Sequence, residues 1–185
     1  IQRSRGLGDV YKRQPFTVVI DAGHGGKDPG NRGNNYYEKK IVLNIALKTG
    51  AILEKEKGVK VVYTRKSDKY VTLNGRANVA NKAKADLFVS IHCDAHTSNA
   101  YGAGTFVLGL HRNKDNFRIA QKENAVIFLE DNYEQEYDGF DPNNPESVIS
   151  LVLMQEDYLN QSIQAANYIQ QSFVKNLNRK NRTVK

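Results

Sequence analysis

Three residues of metal-ligating type fall where apolar runs end or helices begin: His24, Glu38 and His92. His24 follows Val18-Val19-Ile20-Asp21-Ala22-Gly23, an apolar run that stops abruptly in a histidine set among glycines. β-Branched residues suit a pleated surface packed on both faces, so Val18 to Ile20 read as a buried strand. In open α/β sheets, ligands gather just past the carboxyl ends of the strands. Glu38 opens a helical stretch and His92 ends a third apolar run, so a parallel arrangement would bring all three to one sheet edge. Two imidazoles and one carboxylate leave an open position on a four-coordinate ion, the donor set of catalytic zinc. The same set also describes non-haem iron. Each residue has a plainer role as well: a turn histidine, an acid at the positive end of a helix, a buried core histidine.

Other sites fail on spacing or remain open. A dinucleotide fingerprint from Gly23 and Gly25 needs glycine where Asp28 stands, and a phosphate loop ending Gly26-Lys27 is broken by Asp21 and Asp28. Cys93 follows His92 in an extended run, so it should face the opposite side and pack as a small hydrophobe. His92 and His96 have zincin spacing but lack the helix and the glutamate. His96 and His111 read as loop residues. Arg65 and Arg76 read equally as surface ion pairs or as holders of an acidic substrate group.

The elements that must position these groups follow in order. Phe16 to Asp21 is the first strand, and Ala22 to Tyr37 an irregular loop rich in Gly and Asn. Glu38 to about Lys57 is a helix with a broad apolar face of Ile41, Ile45 and Ile52 flanked by Val42, Ala46, Ala51 and Leu53, stopped by Gly58. Val59 to Arg65 is a second strand. A helix opening at Thr72 runs to about Lys84 with Leu73, Ala77, Ala80 and Ala83 inward, and Leu87 to His92 is the third strand. This alternation predicts a single α/β domain with a central, mostly parallel sheet flanked by helices. Gly104 to Leu108 is a fourth strand; Asn116 to Leu129 and Ser147 to about Asn178 are helices, with no strand expected after them.

The 185 residues suit one domain, and no apolar run is long enough to span a bilayer. A single cysteine excludes an internal disulfide framework, and no secretory signal is visible. Residues 1–14 lack apolar periodicity and read as a non-native or disordered extension. They account for +3 and Lys175–Lys185 for +5 of the net charge of +7, leaving the body at −1. A nucleic-acid groove is therefore not expected.

Val19-Ile20-Asp21-Ala22-Gly23-His24-Gly25-Gly26-Lys27-Asp28-Pro29-Gly30 resembles the first motif of the zinc-dependent N-acetylmuramoyl-L-alanine amidases of type 3. Tyr37-Glu38-Lys39 resembles their second ligand motif, and Ser90-Ile91-His92-Cys93-Asp94-Ala95 their third. Tyr63-Thr64-Arg65 with Asp68, and Leu73 with Arg76, Ala80 and Asn81, resemble the block between. The order of motifs holds from about Phe16 to Lys185. The resemblance implies Zn2+ held by His24, Glu38 and His92, peptidoglycan as substrate, and cleavage of the amide between N-acetylmuramic acid and L-alanine. It implies a periplasmic, envelope or secreted location, with wall remodelling or daughter-cell separation as the role. A non-catalytic, zinc-containing peptidoglycan-binding module is the alternative.

Two departures shape the expectation. The family's late glutamate, its general base, has no counterpart after Lys175; Glu130 mimics it only superficially. The reading is therefore an amidase domain over 15–185, incomplete at its C-terminus, with the base beyond Lys185 and the piece itself inactive or nearly so. Residues from about 113 to 160 form a helical insert, which by resemblance covers the cleft, is released by an envelope activator protein, and caps the metal through an acid such as Glu123.

Overall fold

The computed structural model describes residues 14–33, 35–94, 99–107, 122–123, 125–130, 132, 135 and 159–185. They fall into two compact units, residues 1–94 and 95–185. The extension 1–13, most of the insert, His96 and His111 lie outside the described residues.

The first unit is built on β1 (Phe16–Ala22). It lies between β4 (Val59–Tyr63) and β5 (Leu87–Ile91), and both pairings are parallel. A central strand has neighbours on both edges and layers on both faces, which is why six of its seven residues are buried. Val18, Ile20 and Ala22 meet Val42 and Ala46 of helix α1 (Glu38–Leu53) to form the core. A small hairpin, β2 (Arg32–Gly33) with β3 (Tyr36–Tyr37), interrupts the loop that had been expected to be irregular.

Helix α1 starts at Glu38 as expected but ends four residues before Lys57, and the turn into β4 contains Gly58 at φ 84°. Its buried stripe is Glu38, Val42, Ala46 and Gly50; of the expected apolar face the flanking Val42 and Ala46 are buried, whereas Ile41, Ile45 and Ile52 are exposed. The choice follows from closeness of approach. A Cβ at Gly50 would collide with the Tyr63 ring, so the helix packs along its line of small residues. Helix α2 (Leu73–Ala83) is capped by Thr72, whose hydroxyl oxygen accepts from the Gly75 N–H at 2.9 Å. Of the expected inward set, Leu73, Ala80 and Ala83 are half-buried but Ala77 is exposed, and Arg76 is the buried residue of the helix.

The second unit contains β6 (Ala103–Thr105), a short 3-10 helix (Ala125–Leu129), α3 (Leu159–Leu177) and β7 (Asn181–Val184). β7 corrects the expectation that no strand follows the long helix: it pairs in parallel with β6. Its polar, mostly exposed residues carry no apolar alternation, and the pairing itself defines it. The buried Gln170 of α3 ties the two strands, donating to the Ala103 carbonyl at 2.8 Å and to Asn181 Oδ1 at 2.7 Å.

Candidate metal centre

His24 stands two residues past β1 with φ 60°, a left-handed conformation uncommon for a residue with a side chain. A tight turn holds it there. The Gly25 and Asp28 backbones exchange hydrogen bonds of 2.9 and 3.1 Å, and Asp28 Oδ2 lies 2.7 Å from His24 Nδ1. Asp28 Oδ1 accepts from the Gly30 N–H at 3.0 Å, which fixes the carboxylate. Burial by itself would raise the Asp28 pKa. The hydrogen bond from His24, the Gly30 N–H and the positive charges of His24 and Arg76 outweigh it, and the net shift is downward. An ionised carboxylate on Nδ1 favours a proton there and so leaves Nε2 as the ring nitrogen available to a metal ion.

That Nε2 faces Glu38. Glu38 is 2 % exposed, set inward because it heads the buried stripe of α1. Its Oε2 accepts from the Asn31 N–H at 2.9 Å and from Asn31 Nδ2 at 2.8 Å, and its Oε1 accepts from the Cys93 N–H at 2.7 Å. Burial raises its pKa, but hydrogen bonds from His24, His92, Cys93 and Asn31 together carry it well below the usual carboxylate range. His92 follows directly on β5. Its imidazole meets that of His24 edge-on, centroids 4.9 Å apart, and packs where a Cβ on Gly23 would stand. Gly30, at φ 64°, is required similarly: a Cβ there would come within 2.6 Å of His24 Cδ2 and 2.8 Å of Glu38 Cβ.

The three donor atoms form a near-equilateral triangle. His24 Nε2 to Glu38 Oε1 is 3.1 Å, His92 Nδ1 to Glu38 Oε1 3.2 Å, and His92 Nδ1 to His24 Nε2 3.2 Å. Ligands about 2.0–2.1 Å from a tetrahedral zinc ion stand about 3.3 Å apart, so the donor set fits such an ion closely. These residues could therefore hold a divalent metal ion.

Cys93 turns toward the core, as expected; its N–H donates to Glu38 and its carbonyl accepts from Asn31 Nδ2 at 2.6 Å. Arg65 and Arg76 need correction. They are 2 % and 7 % exposed, neither surface pairs nor open to a substrate. Arg65 donates to the carbonyls of Ala22, Gly23, Lys39 and Ser67, and Arg76 to Asp21 and the carbonyls of Ala22, His24 and Val71. Glu123 lies in the second unit, half-buried beside the 3-10 helix, and Glu130 is buried there. Asp28 and Asn31 went unnoticed in the sequence; the one available signal was a carboxylate four residues after a histidine in a turn.

The family model described as N-acetylmuramoyl-L-alanine amidase matches residues 18–185. The chain belongs to this amidase family. Among curated amidases, it is 43% identical over 104 residues to the probable N-acetylmuramoyl-L-alanine amidase AmiB of Haemophilus influenzae, covering 55% of this chain and 24% of that protein. It is 49% identical over 79 residues to the sporulation-specific N-acetylmuramoyl-L-alanine amidase of Bacillus subtilis, covering 42% of this chain and 31% of that one. The matched part is thus a quarter to a third of these relatives' lengths. Among solved amidase structures, an N-acetylmuramoyl-L-alanine amidase from Clostridium difficile 630 aligns with a TM-score of 0.61 at 26% identity, covering 92% of this chain and 69% of that one. The fold is accordingly the mixed α/β, mostly parallel arrangement of amidase structures.

Proposed function

We propose that this chain is the metal-bearing part of a zinc-dependent peptidoglycan amidase, hydrolysing the amide between N-acetylmuramic acid and L-alanine. The observation that carries the reading is the triangle of His24 Nε2, Glu38 Oε1 and His92 Nδ1, with edges of 3.1–3.2 Å, in a chain of the amidase family. In the proposed centre these three residues hold the ion. A zinc ion so held lowers the pKa of a bound water toward neutrality and polarises a carbonyl oxygen. The protein's own work is orientation. Asp28 favours a proton on His24 Nδ1, the Asn31 and Cys93 N–H groups keep Glu38 ionised and aimed, and Gly23 and Gly30 leave room for the two rings.

The relatives' names support a substrate in the bacterial wall and hence an envelope or secreted location. No helix among the described residues is long and apolar enough to cross a membrane. The proposal extends to wall remodelling or daughter-cell separation, with Glu123 as a regulatory acid and an envelope protein as the activator that relieves it.

The test is release of new L-alanine amino termini from purified peptidoglycan by zinc-loaded protein, with chelator-treated protein and His92→Ala as controls. Release that depends on both zinc and His92 supports the reading. Stoichiometric zinc without any release, even when a segment bearing the family's late glutamate is appended, would favour a wall-binding module instead.

A further inference from the structure

Asp21 is a charged residue within the most buried strand of the first unit, 3 % exposed, and it lies outside the ligand triangle. Its carboxylate is engaged by three separate elements. Oδ1 accepts from Thr64 Oγ1 and from Arg76 Nη1, both at 2.6 Å, and Oδ2 accepts from Ser90 Oγ at 2.8 Å.

Each contact leads toward a histidine. Arg76 continues from Asp21 to the Ala22 carbonyl at 2.8 Å and the His24 carbonyl at 2.9 Å. Arg65, next after Thr64, donates to the Ala22 carbonyl at 2.9 Å and the Gly23 carbonyl at 2.7 Å. Three consecutive carbonyls, ending with that of His24, are thus gripped by two guanidinium groups. On the other side Ser90 pairs in register with Asp21 across β1 and β5, two residues before His92.

Stability alone is a weak reason for this arrangement. Removing two guanidinium groups and a carboxylate from water is costly, and apolar residues of similar volume often serve a core as well or better. The left-handed His24 points the same way, since strained backbone persists where its surroundings over-determine it. A metal site tolerates a ligand error of only about 0.5 Å. The two imidazoles come from different strands, whose ends nothing covalent holds together.

We propose that Asp21, Arg76 and Arg65, with Thr64 and Ser90, form a positioning network for the metal centre. It locks the His24 backbone and ties the His92 strand end to it at the separation an ion requires. The inference rests on the metal-dependent reading above and deepens it. None of the five residues touches the ion or the substrate; they act through His24 and His92.

The test uses the full chain and reads metal binding rather than turnover. Zinc affinity is measured by competition with a chromophoric chelator, and ligand geometry by the visible spectrum of the cobalt(II) form. Folding is followed separately by circular dichroism in the metal-free state. Asp21→Asn and Arg76→Lys should fold yet bind zinc about 10–100-fold more weakly, the range seen when groups that orient metal ligands are lost. Their cobalt bands should weaken and shift as the ligand geometry loosens. Ser90→Ala removes one hydroxyl and leaves the buried charges paired, which guards against loss of the fold. It should weaken zinc about threefold to tenfold, the scale of one hydrogen bond. Wild-type zinc affinity and an unchanged cobalt spectrum in folded Asp21→Asn and Ser90→Ala, whatever their stability, would overturn the network. A wild-type protein that binds neither zinc nor cobalt would overturn the metal reading itself.

Discussion

Glu38→Gln keeps the side-chain shape and removes the charge. The Glu38 carboxylate accepts at both ends: the Cys93 N–H at 2.7 Å on Oε1, and two Asn31 donors at 2.9 and 2.8 Å on Oε2. A glutamine has one oxygen to offer. Turned toward Asn31, it sets its amide N–H2 against the Cys93 N–H; turned toward Cys93, it orphans both Asn31 donors. One or two buried donors lose their acceptor at about 1–3 kcal/mol each, so the metal-free variant should be about 2–4 kcal/mol less stable than wild type. The metal term is separate. A ligand that binds only the folded state stabilises it by about 2.7 kcal/mol at 100 times its Kd and about 4.1 kcal/mol at 1,000 times. Zinc at such an excess should give wild type that increment and give Glu38→Gln less than about 1 kcal/mol of it, one anionic ligand having gone. Urea denaturation of both proteins, metal-free and zinc-saturated, measures the four stabilities. A variant that is as stable as wild type without metal and keeps the full zinc increment would refute the reasoning on both counts.

Acid should act on the metal-free protein in a defined window. Glu38 and Asp28 have folded pKa values below their ordinary 4.5 and 3.8, so the stability their ionised forms contribute is fully present above those values. It is lost as pH falls through the depressed folded values; an acid titration by circular dichroism should show Glu38→Gln with the shallower dependence below pH 4. Gly30→Ala places a methyl group 2.6 Å from His24 Cδ2 at φ 64°, and should lower stability by about 1–3 kcal/mol and weaken zinc in the same competition assay. Thr72→Ala removes the acceptor that caps α2 and should cost about 1 kcal/mol in urea, without altering the ligand set.

Much of the first unit was legible in the sequence because it rests on local chemistry. The β-branched run of β1, the Thr72 cap of α2 and the glycine turn around His24 announce themselves within a few residues. So do Glu38 at the start of a helix and His92 at the end of a strand, which made a shared sheet edge predictable before any coordinates. What escaped was decided by contact across the chain. Periodicity put Ile41, Ile45 and Ile52 at the centre of the apolar face of α1, with Val42 and Ala46 only at its flank. The small residues Ala46 and Gly50 let the adjacent stripe pack more closely, and Glu38 heads that stripe. β7 went unread because its polar residues become a strand only by pairing with β6.

The same division runs through the site. Residue types and order by themselves pointed to the candidate ligand set, since imidazole and carboxylate are what a zinc ion accepts and strand ends are where a parallel sheet presents them. Arg65 and Arg76 show the limit. An arginine's sequence neighbours do not say whether its guanidinium faces water or a run of backbone carbonyls. Only the folded chain, bringing α2 and the segment after β4 against the end of β1, turned both inward onto the loop that carries His24. Burial and long-range hydrogen bonding are properties of the packed state, so the role of these two charges was a matter for tertiary structure alone.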